Sequence, residues 1–153
     1  MRLEGFGISV TIPAGWNGRL FDRFDAEPEF LTNPTLQAGS FTLPSDDGTF
    51  GQAAIRRMRV GDVFVVLYEA GGPEIANVGQ YSATSLPRSI RADELQPRAA
   101  PAPVDGVNGK QWFMTKAGRP WVLYVAARGC SEASSAIIDL RELVATIEIQ
   151  PRL

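Results

Sequence analysis

The chemistry open to this sequence is limited first by the absence of histidine. Histidine is the commonest general base, and it completes Ser-His and Cys-His nucleophile systems and most zinc and copper sites. The single cysteine, Cys130, stands before a predicted helix whose dipole could lower the pKa of its thiol. As a nucleophile it would depend on that dipole and on Arg128, and the alternative is a small packed side chain. We therefore expect no catalytic residue, no metal ion and no cofactor.

Carboxylates are numerous, but their spacing indicates no site. Asp62, Glu69, Asp139 and Glu142 lie nearest to predicted helices and strands, and sequence alone does not pair them. Residues 22–34 contain four acids, without the Asp-x-Asp-x-Asp-Gly order and distal Glu of a calcium loop. A solvated acidic loop is the preferred interpretation of that stretch.

The segment from Ser45 to Glu69 resembles a phosphate cradle at first sight. A helix N-terminus near Gly48 and Gly51 could bind an anion through its free N–H groups. Asp46 and Asp47 occupy the place that such an anion would take, and we interpret them as caps of the helix. The formal net charge of −2 also argues against a nucleic-acid ligand.

Four residues are candidates for contact with a protein partner. Arg56, Arg57 and Arg59 fall off the apolar face of the predicted helix and could bind an acidic partner. The alternative is a solvated helix face paired with the acids of residues 22–29. Trp16 follows the first strand, where it is either an exposed anchor or a residue that packs over a hairpin end.

A second group of residues could line a small-molecule pocket between sheet and helix. Trp112, Trp121 and Tyr124 would form its walls, and Arg119 or Arg128 would receive a carboxylate. The alternative is that the aromatic residues belong to the core, because the apolar alternation of their strands already explains them.

The elements that must position these residues follow from hydrophobic periodicity. Alternating or continuous apolar runs predict strands, and apolar residues three or four apart predict helices. The predicted strands are 8–12, 19–24, 36–43, 63–68, 110–115, 120–128 and 146–149, and the predicted helices cover about 50–58 and 137–144. Asn17-Gly18 predicts a tight turn between the first two strands, and 63–68 predicts a central strand covered on both faces. We expect one α+β domain over residues 1–153, with a mostly antiparallel sheet of five to seven strands packed with about two helices.

The two chain ends carry a resemblance. A first strand that runs into Pro13-Ala-Gly-Trp16, and a final helix that leads through ELVATIEI into a short strand, resemble the Mog1/PsbP-like group of α/β/α domains. Members of that group act mostly as accessory and binding domains rather than as enzymes. The resemblance therefore implies an accessory role, and it assigns no functional residue in this chain.

These observations predict a non-enzymatic domain that binds a protein partner or takes part in assembly or self-association. Two alternatives stay open: a small-ligand-binding or histidine-free enzymatic domain with a pocket between sheet and helix, and a structural subunit of a larger array. No apolar stretch approaches the length of a membrane span, so we expect no membrane insertion. The expected location is cytoplasmic if the chain is complete, and extracytoplasmic if a leader has been removed.

Overall fold

Two antiparallel sheets and two α-helices make up the fold in a computed structural model that describes residues 1–23, 33–45, 47–48, 50–99 and 104–152. In chain order, the described elements are β1 (Arg2–Gly5), β2 (Ile8–Thr11), β3 (Asn17–Arg23), β4 (Asn33–Gly39), α1 (Gln52–Arg57), β5 (Val63–Glu69), β6 (Gln96–Pro97), β7 (Val107–Lys116), β8 (Arg119–Arg128), α2 (Ser135–Ala145) and β9 (Glu148–Ile149), with single 3-10 turns at Pro73–Ile75, Gly79–Tyr81 and Ala92–Glu94. The larger sheet has the order β3-β4-β5-β8-β7-β6, and the smaller has the order β1-β2-β9.

The predicted α+β class, with a mostly antiparallel sheet and two α-helices, is confirmed. The predicted single sheet of five to seven strands is too small, because the described residues form nine strands divided between two sheets. The additional strands are short. They are β1, with four residues, and β6, with two, and neither carries an alternating apolar pattern.

The first hairpin differs from the prediction in its partner strand. β2 pairs with β1 through a turn at Phe6 and Gly7, and also with β9. Asn17 and Gly18 do not form a turn; they lie inside β3, which pairs with β4. The chain leaves β2 through a turn closed by the Trp16 amide, which donates to the Pro13 carbonyl, and this turn carries it to the larger sheet.

The central strands β5 and β8 are buried on both faces, as the continuous apolar run of residues 63–68 predicts. On one face the larger sheet packs against α2 and the smaller sheet, and Trp121 belongs to this layer. The opposite face packs under α1, with Phe64 and Tyr124 at the centre of the contact. The structure thus has a helix on each face of the larger sheet.

α1 is short, and its N-terminus is capped by a side chain that lies several residues before the helix. The Asp47 carboxylate accepts hydrogen bonds from the amides of Ala53 (3.1 Å) and Ala54 (2.9 Å). This contact confirms that Asp47 occupies the place of an anion at the helix start, while Asp46 lies outside the described residues. Phe50 precedes the helix and packs edge-on against Tyr68 instead of joining the buried helix face.

The C-terminal half follows its local signals closely. β7 and β8 form the predicted hairpin, paired residue by residue from Val107 and Arg128 to Lys116 and Arg119. α2 buries Ile137, Leu140 and Val144 on one face, as their spacing predicts, and the chain then enters β9.

Candidate binding cleft

The centre of the candidate site is a buried ion pair at one end of the larger sheet. Glu69 is the last residue of β5 and Arg119 is the first of β8, and their side chains are only 0% and 5% exposed. Arg119 Nε donates to Glu69 Oε2 over 2.5 Å. The guanidinium also lies 4.7 Å from the ring centre of Trp121, close enough for a cation–π contact. Two charges removed from water in this way need such partners to be tolerated.

Arg119 also joins the two sheets. Its Nη1 group donates to the Gln150 carbonyl (2.9 Å), just after β9, and Nη2 donates to the Phe6 carbonyl (3.2 Å), in the β1–β2 turn. The Gln150 amide in turn donates to the Gly7 carbonyl (2.8 Å). Position 7 favours glycine, because its φ is +81° and a Cβ there would lie 2.5 Å from Arg119 Nη1.

A second arginine contacts the same carboxylate. Arg152 Nη2 contacts Glu69 Oε1, so Glu69 lies between two guanidinium groups. Burial lowers the pKa of Arg119 from its ordinary value. On β3, at the edge of the larger sheet, burial raises the pKa of Asp22, while the positive charge of Arg152 acts in the opposite direction. Arg119 and Arg152 thus share the carboxylate of Glu69.

A cleft of about 670 Å³ opens beside these arginines. This volume is within the range of small-molecule sites, roughly 300–1,000 Å³. The described walls are mostly apolar, and their charged members are Arg119 and Arg152; the walls are Phe6, Gly7, Pro34, Arg119, Gln150, Pro151 and Arg152. A smaller space of about 240 Å³ shares Arg119, Pro151 and Arg152, and reaches Glu69 and the β7–β8 turn.

Phe6 at the edge of the cleft adopts an unusual backbone conformation. Its φ is +54°, in the left-handed region, and 46% of the residue is exposed. For an L-residue other than glycine that conformation costs about 1–2 kcal/mol. An aromatic side chain held in this way next to a cleft is a candidate ligand contact.

The residues predicted to line a sheet–helix pocket are separated by the structure. Trp121 and Tyr124 are both buried, but they belong to opposite faces of the larger sheet. Trp112 is half-buried on the Trp121 side, under the Lys110 ammonium group. Arg128, at the far end of β8, donates to the Asp105 carbonyl (3.3 Å). Of the five, Arg119 alone is among the described walls of the cleft.

The candidate partner-binding residues differ in exposure. Arg56, Arg57 and Arg59 are exposed, as their position off the apolar helix face predicts. Trp16 is half-buried against the core on the α2 side, which fits a packing role better than an exposed anchor. The expected pairing of the arginines with the acidic loop concerns mainly Asp25, Glu27 and Glu29, which lie outside the described residues.

Cys130 lacks the environment of an activated nucleophile. Burial, with a smaller contribution from Asp62, raises the pKa of its thiol, and hydrogen bonds involving Arg128 and Ser134 oppose this only in part. The Sγ atom lies 3.6 Å from the carbonyl oxygens of Asp62 and Arg128. The thiol is therefore a weak donor held by two carbonyls, and it favours the protonated form.

The raised pKa gives a testable consequence. We expect iodoacetamide to alkylate Cys130 in the folded chain more slowly than in the urea-unfolded chain at neutral pH, because only the thiolate reacts. Since the pKa is raised, the inflection of the rate against pH should also move to higher pH on folding. A mere restriction of access would slow the reaction without moving the inflection. An inflection that moves to lower pH would contradict this description of the thiol.

Other classes of site find no support in the described part of the chain. Among those residues, no group of three or more Cys, Asp and Glu side chains is placed to hold a metal ion. None of the described helices is both long and apolar enough to cross a membrane.

Comparisons of the chain with protein-family models, curated proteins and solved structures find no match. The resemblance of the chain ends to Mog1/PsbP-like domains therefore stays a prediction. The interpretation of the site depends on its geometry alone.

Proposed function

We propose that this chain is a non-enzymatic binding domain whose cleft beside Arg119 receives a ligand with an apolar body and a carboxylate group. The observation that carries the proposal is the composition of the cleft, in which two arginines stand at one end of otherwise largely apolar walls. No carboxylate is among the described walls, because Glu69 contacts the arginines from the neighbouring space. A carboxylate is the group that guanidinium recognises with two parallel hydrogen bonds.

Arg119 retains hydrogen-bonding capacity for such a ligand. A guanidinium carries five N–H groups. Three of the five N–H groups of Arg119 donate to described residues, namely to Glu69, Phe6 and Gln150. The other two N–H groups have no acceptor among the described residues, so a ligand carboxylate could accept from them without disruption of the contacts that join the sheets.

The apolar walls supply the second part of the recognition. Phe6, Pro34 and Pro151 offer ring surfaces to the cleft, and Phe6 is both strained and partly exposed. Contact of a ligand with the exposed side of Phe6 would bury apolar surface at about 25 cal/mol per Å². This gain provides a reason for the chain to keep phenylalanine at a strained turn position.

The same geometry favours the ligand cleft over a protein partner docked on a sheet face. Both faces of β5 and β8 are covered, one by α2 and the smaller sheet and the other by α1. A partner that used the larger sheet would therefore have to reach its edges. The non-enzymatic character of the proposal is supported by the absence of histidine and by the raised pKa of Cys130.

Two features support the Mog1/PsbP-like resemblance as a proposal for the fold family. The first is the strand β2, which leads into the turn from Pro13 to Trp16. The second is α2, which leads directly into β9, with helices on both faces of the larger sheet. The accessory role that the resemblance implies agrees with a binding domain.

The test compares three probes that share a phenylalkyl body and differ in the terminal group: 4-phenylbutyrate, its neutral amide and the corresponding primary amine. We expect the carboxylate to bind more tightly than the amide, and the amine to bind least, in a calorimetric titration. Phe6→Ala should weaken binding of the carboxylate roughly three- to tenfold, since it removes ring contact.

Val78→Ala is the matched control, because Val78 is an exposed apolar residue (62%) outside the described walls of the cleft. It should leave the affinity unchanged. Equal affinities for the carboxylate and the amide, or equal effects of the two substitutions, would contradict the proposed function.

A further inference from the structure

The C-terminal end of α1 and the residues directly after it carry a concentration of exposed positive charge. Arg56, Arg57 and Arg59 are exposed, and Val60 beside them is 81% exposed. Among the described residues, none of the three arginines forms an ion pair. Several exposed arginines elsewhere do so; those pairs are Arg2–Glu4, Arg91–Asp93 and Arg98–Asp105. We call residues 56–60 the arginine turn.

The backbone of the arginine turn is fixed by hydrogen bonds. The Asp62 carboxylate accepts from the Arg59 amide (2.8 Å), and the Asp62 amide donates to the Arg59 carbonyl (2.9 Å). The Gly61 amide donates to the Arg128 carbonyl (2.7 Å), which ties the turn to the end of β8. A surface with a fixed backbone loses less conformational entropy on binding than a flexible one.

The charge of the turn stays positive after Asp62 is included. Three arginines and one aspartate give a formal charge of +2. Asp62 also accepts a hydrogen bond from the Ser40 hydroxyl (3.2 Å), so its carboxylate is held by the fold beneath the turn. The arginine side chains are consequently the charged groups that an approaching molecule meets first.

We propose that the arginine turn binds an acidic protein segment, in which an apolar side chain contacts Val60 and flanking carboxylates pair with Arg56, Arg57 and Arg59. Exposed valine amid arginines suits a peptide that presents both apolar and acidic groups. A nucleic acid fits less well, because the whole chain has a formal net charge of −2 and residues 51–62 contain no aromatic side chain for base stacking.

This surface is separate from the ligand cleft. The arginine turn precedes Val63, the first residue of β5, whereas the cleft lies at Glu69, the last. At about 3.3 Å per residue, the length of β5 separates them by roughly 20 Å. α1 also packs on the opposite face of the larger sheet from the smaller sheet. The two proposals can therefore fail independently.

The experiment measures fluorescence anisotropy of a labelled peptide in which glutamates flank a central leucine. We expect saturable binding at low ionic strength that weakens as salt is added. We expect the affinity for the peptide to fall roughly two- to fivefold with each of the single substitutions Arg56→Glu, Arg57→Glu and Arg59→Glu. Val60→Ser should also weaken it, because the apolar contact is lost.

Arg88→Glu is the matched control. Arg88 is exposed, and its substitution by glutamate changes the net charge of the chain by the same amount as each substitution in the arginine turn. It should leave the affinity within about twofold of the unsubstituted protein. Three results would overturn the proposal: no saturable binding, an Arg88→Glu effect as large as those in the turn, or tighter binding of a labelled DNA duplex than of the peptide. A loss of affinity for the peptide in the arginine-turn variants, with Arg88→Glu unaffected, would support the proposal.

Discussion

Substitution of Glu69 by leucine is expected to lower the free energy of unfolding by about 3–5 kcal/mol, because it leaves the buried Arg119 guanidinium without its carboxylate. Arg119 is only 4% exposed, and its remaining described acceptors are the carbonyls of Phe6 and Gln150. Arg119→Met should cost a similar amount, since it deprives Glu69 of a partner and unties the β1–β2 turn and the segment after β9 from the larger sheet.

The double variant Glu69→Leu/Arg119→Met separates the ion pair from general damage. With both charges removed, the free energy of unfolding should fall by clearly less than the sum of the losses in the two single variants. The reason is that neither Glu69 nor Arg119 then remains as a buried charge without the other. Urea unfolding of all four proteins gives the coupling energy directly. The control is Arg98→Met, in an ion pair whose side chains are 78% and 94% exposed, which should leave stability unchanged. Additive losses, or a Glu69→Leu variant as stable as Arg98→Met, would show that the buried pair does not hold the two sheets together.

Gly51→Ala is expected to lower the free energy of unfolding by about 2–4 kcal/mol, for two reasons that add. The φ of Gly51 is +66°, which costs an L-residue about 1–2 kcal/mol. In addition, the new Cβ would lie 2.3 Å from Cζ of Phe64, a fully buried ring, and overpacking of a core costs about 1–3 kcal/mol.

Gly15→Ala is the matched control for that prediction. Gly15 has a similar φ of +80°, but a Cβ there would meet no described atom within 4 Å. It should therefore show the backbone cost alone, and the difference between the two variants in thermal or urea unfolding reports the contact with Phe64. Equal losses at Gly15 and Gly51 would contradict the described packing of α1 on the larger sheet.

The parts of the fold that could be predicted are those fixed by local sequence. The apolar run of β5, the alternation in β7 and β8, and the spacing of Ile137, Leu140 and Val144 in α2 each specify their element without reference to the rest of the chain. The partner of β2 could not be predicted in this way. Asn17-Gly18 has the composition of a tight turn, but the pairing of β3 with β4 extends it as strand. Nonlocal pairing overrode the local preference.

The candidate site combines residues that are remote in sequence. Glu69 and Arg119 meet because β5 and β8 are neighbours in a particular register, which the sequence does not encode locally. Arg119 was predicted to receive a carboxylate, but the cleft beside it is formed by Phe6, Pro34 and the chain near Arg152, none of which carries a sequence signal for a site. The one available signal was a charged residue at the end of an otherwise apolar strand, which is Glu69.

The measurement that tests the central claim most directly is a ¹H–¹⁵N spectrum that includes arginine Nε–H groups, recorded during titration with 4-phenylbutyrate. We predict that the largest shifts occur at the Nε–H of Arg119 and at the amides of Gly7 and Gln150, with the Nε–H of Arg56 and Arg57 unchanged. Shifts centred on α1, or a titration to saturating carboxylate that leaves the Arg119 and Gly7 signals in place, would contradict the assignment of the cleft as the binding site.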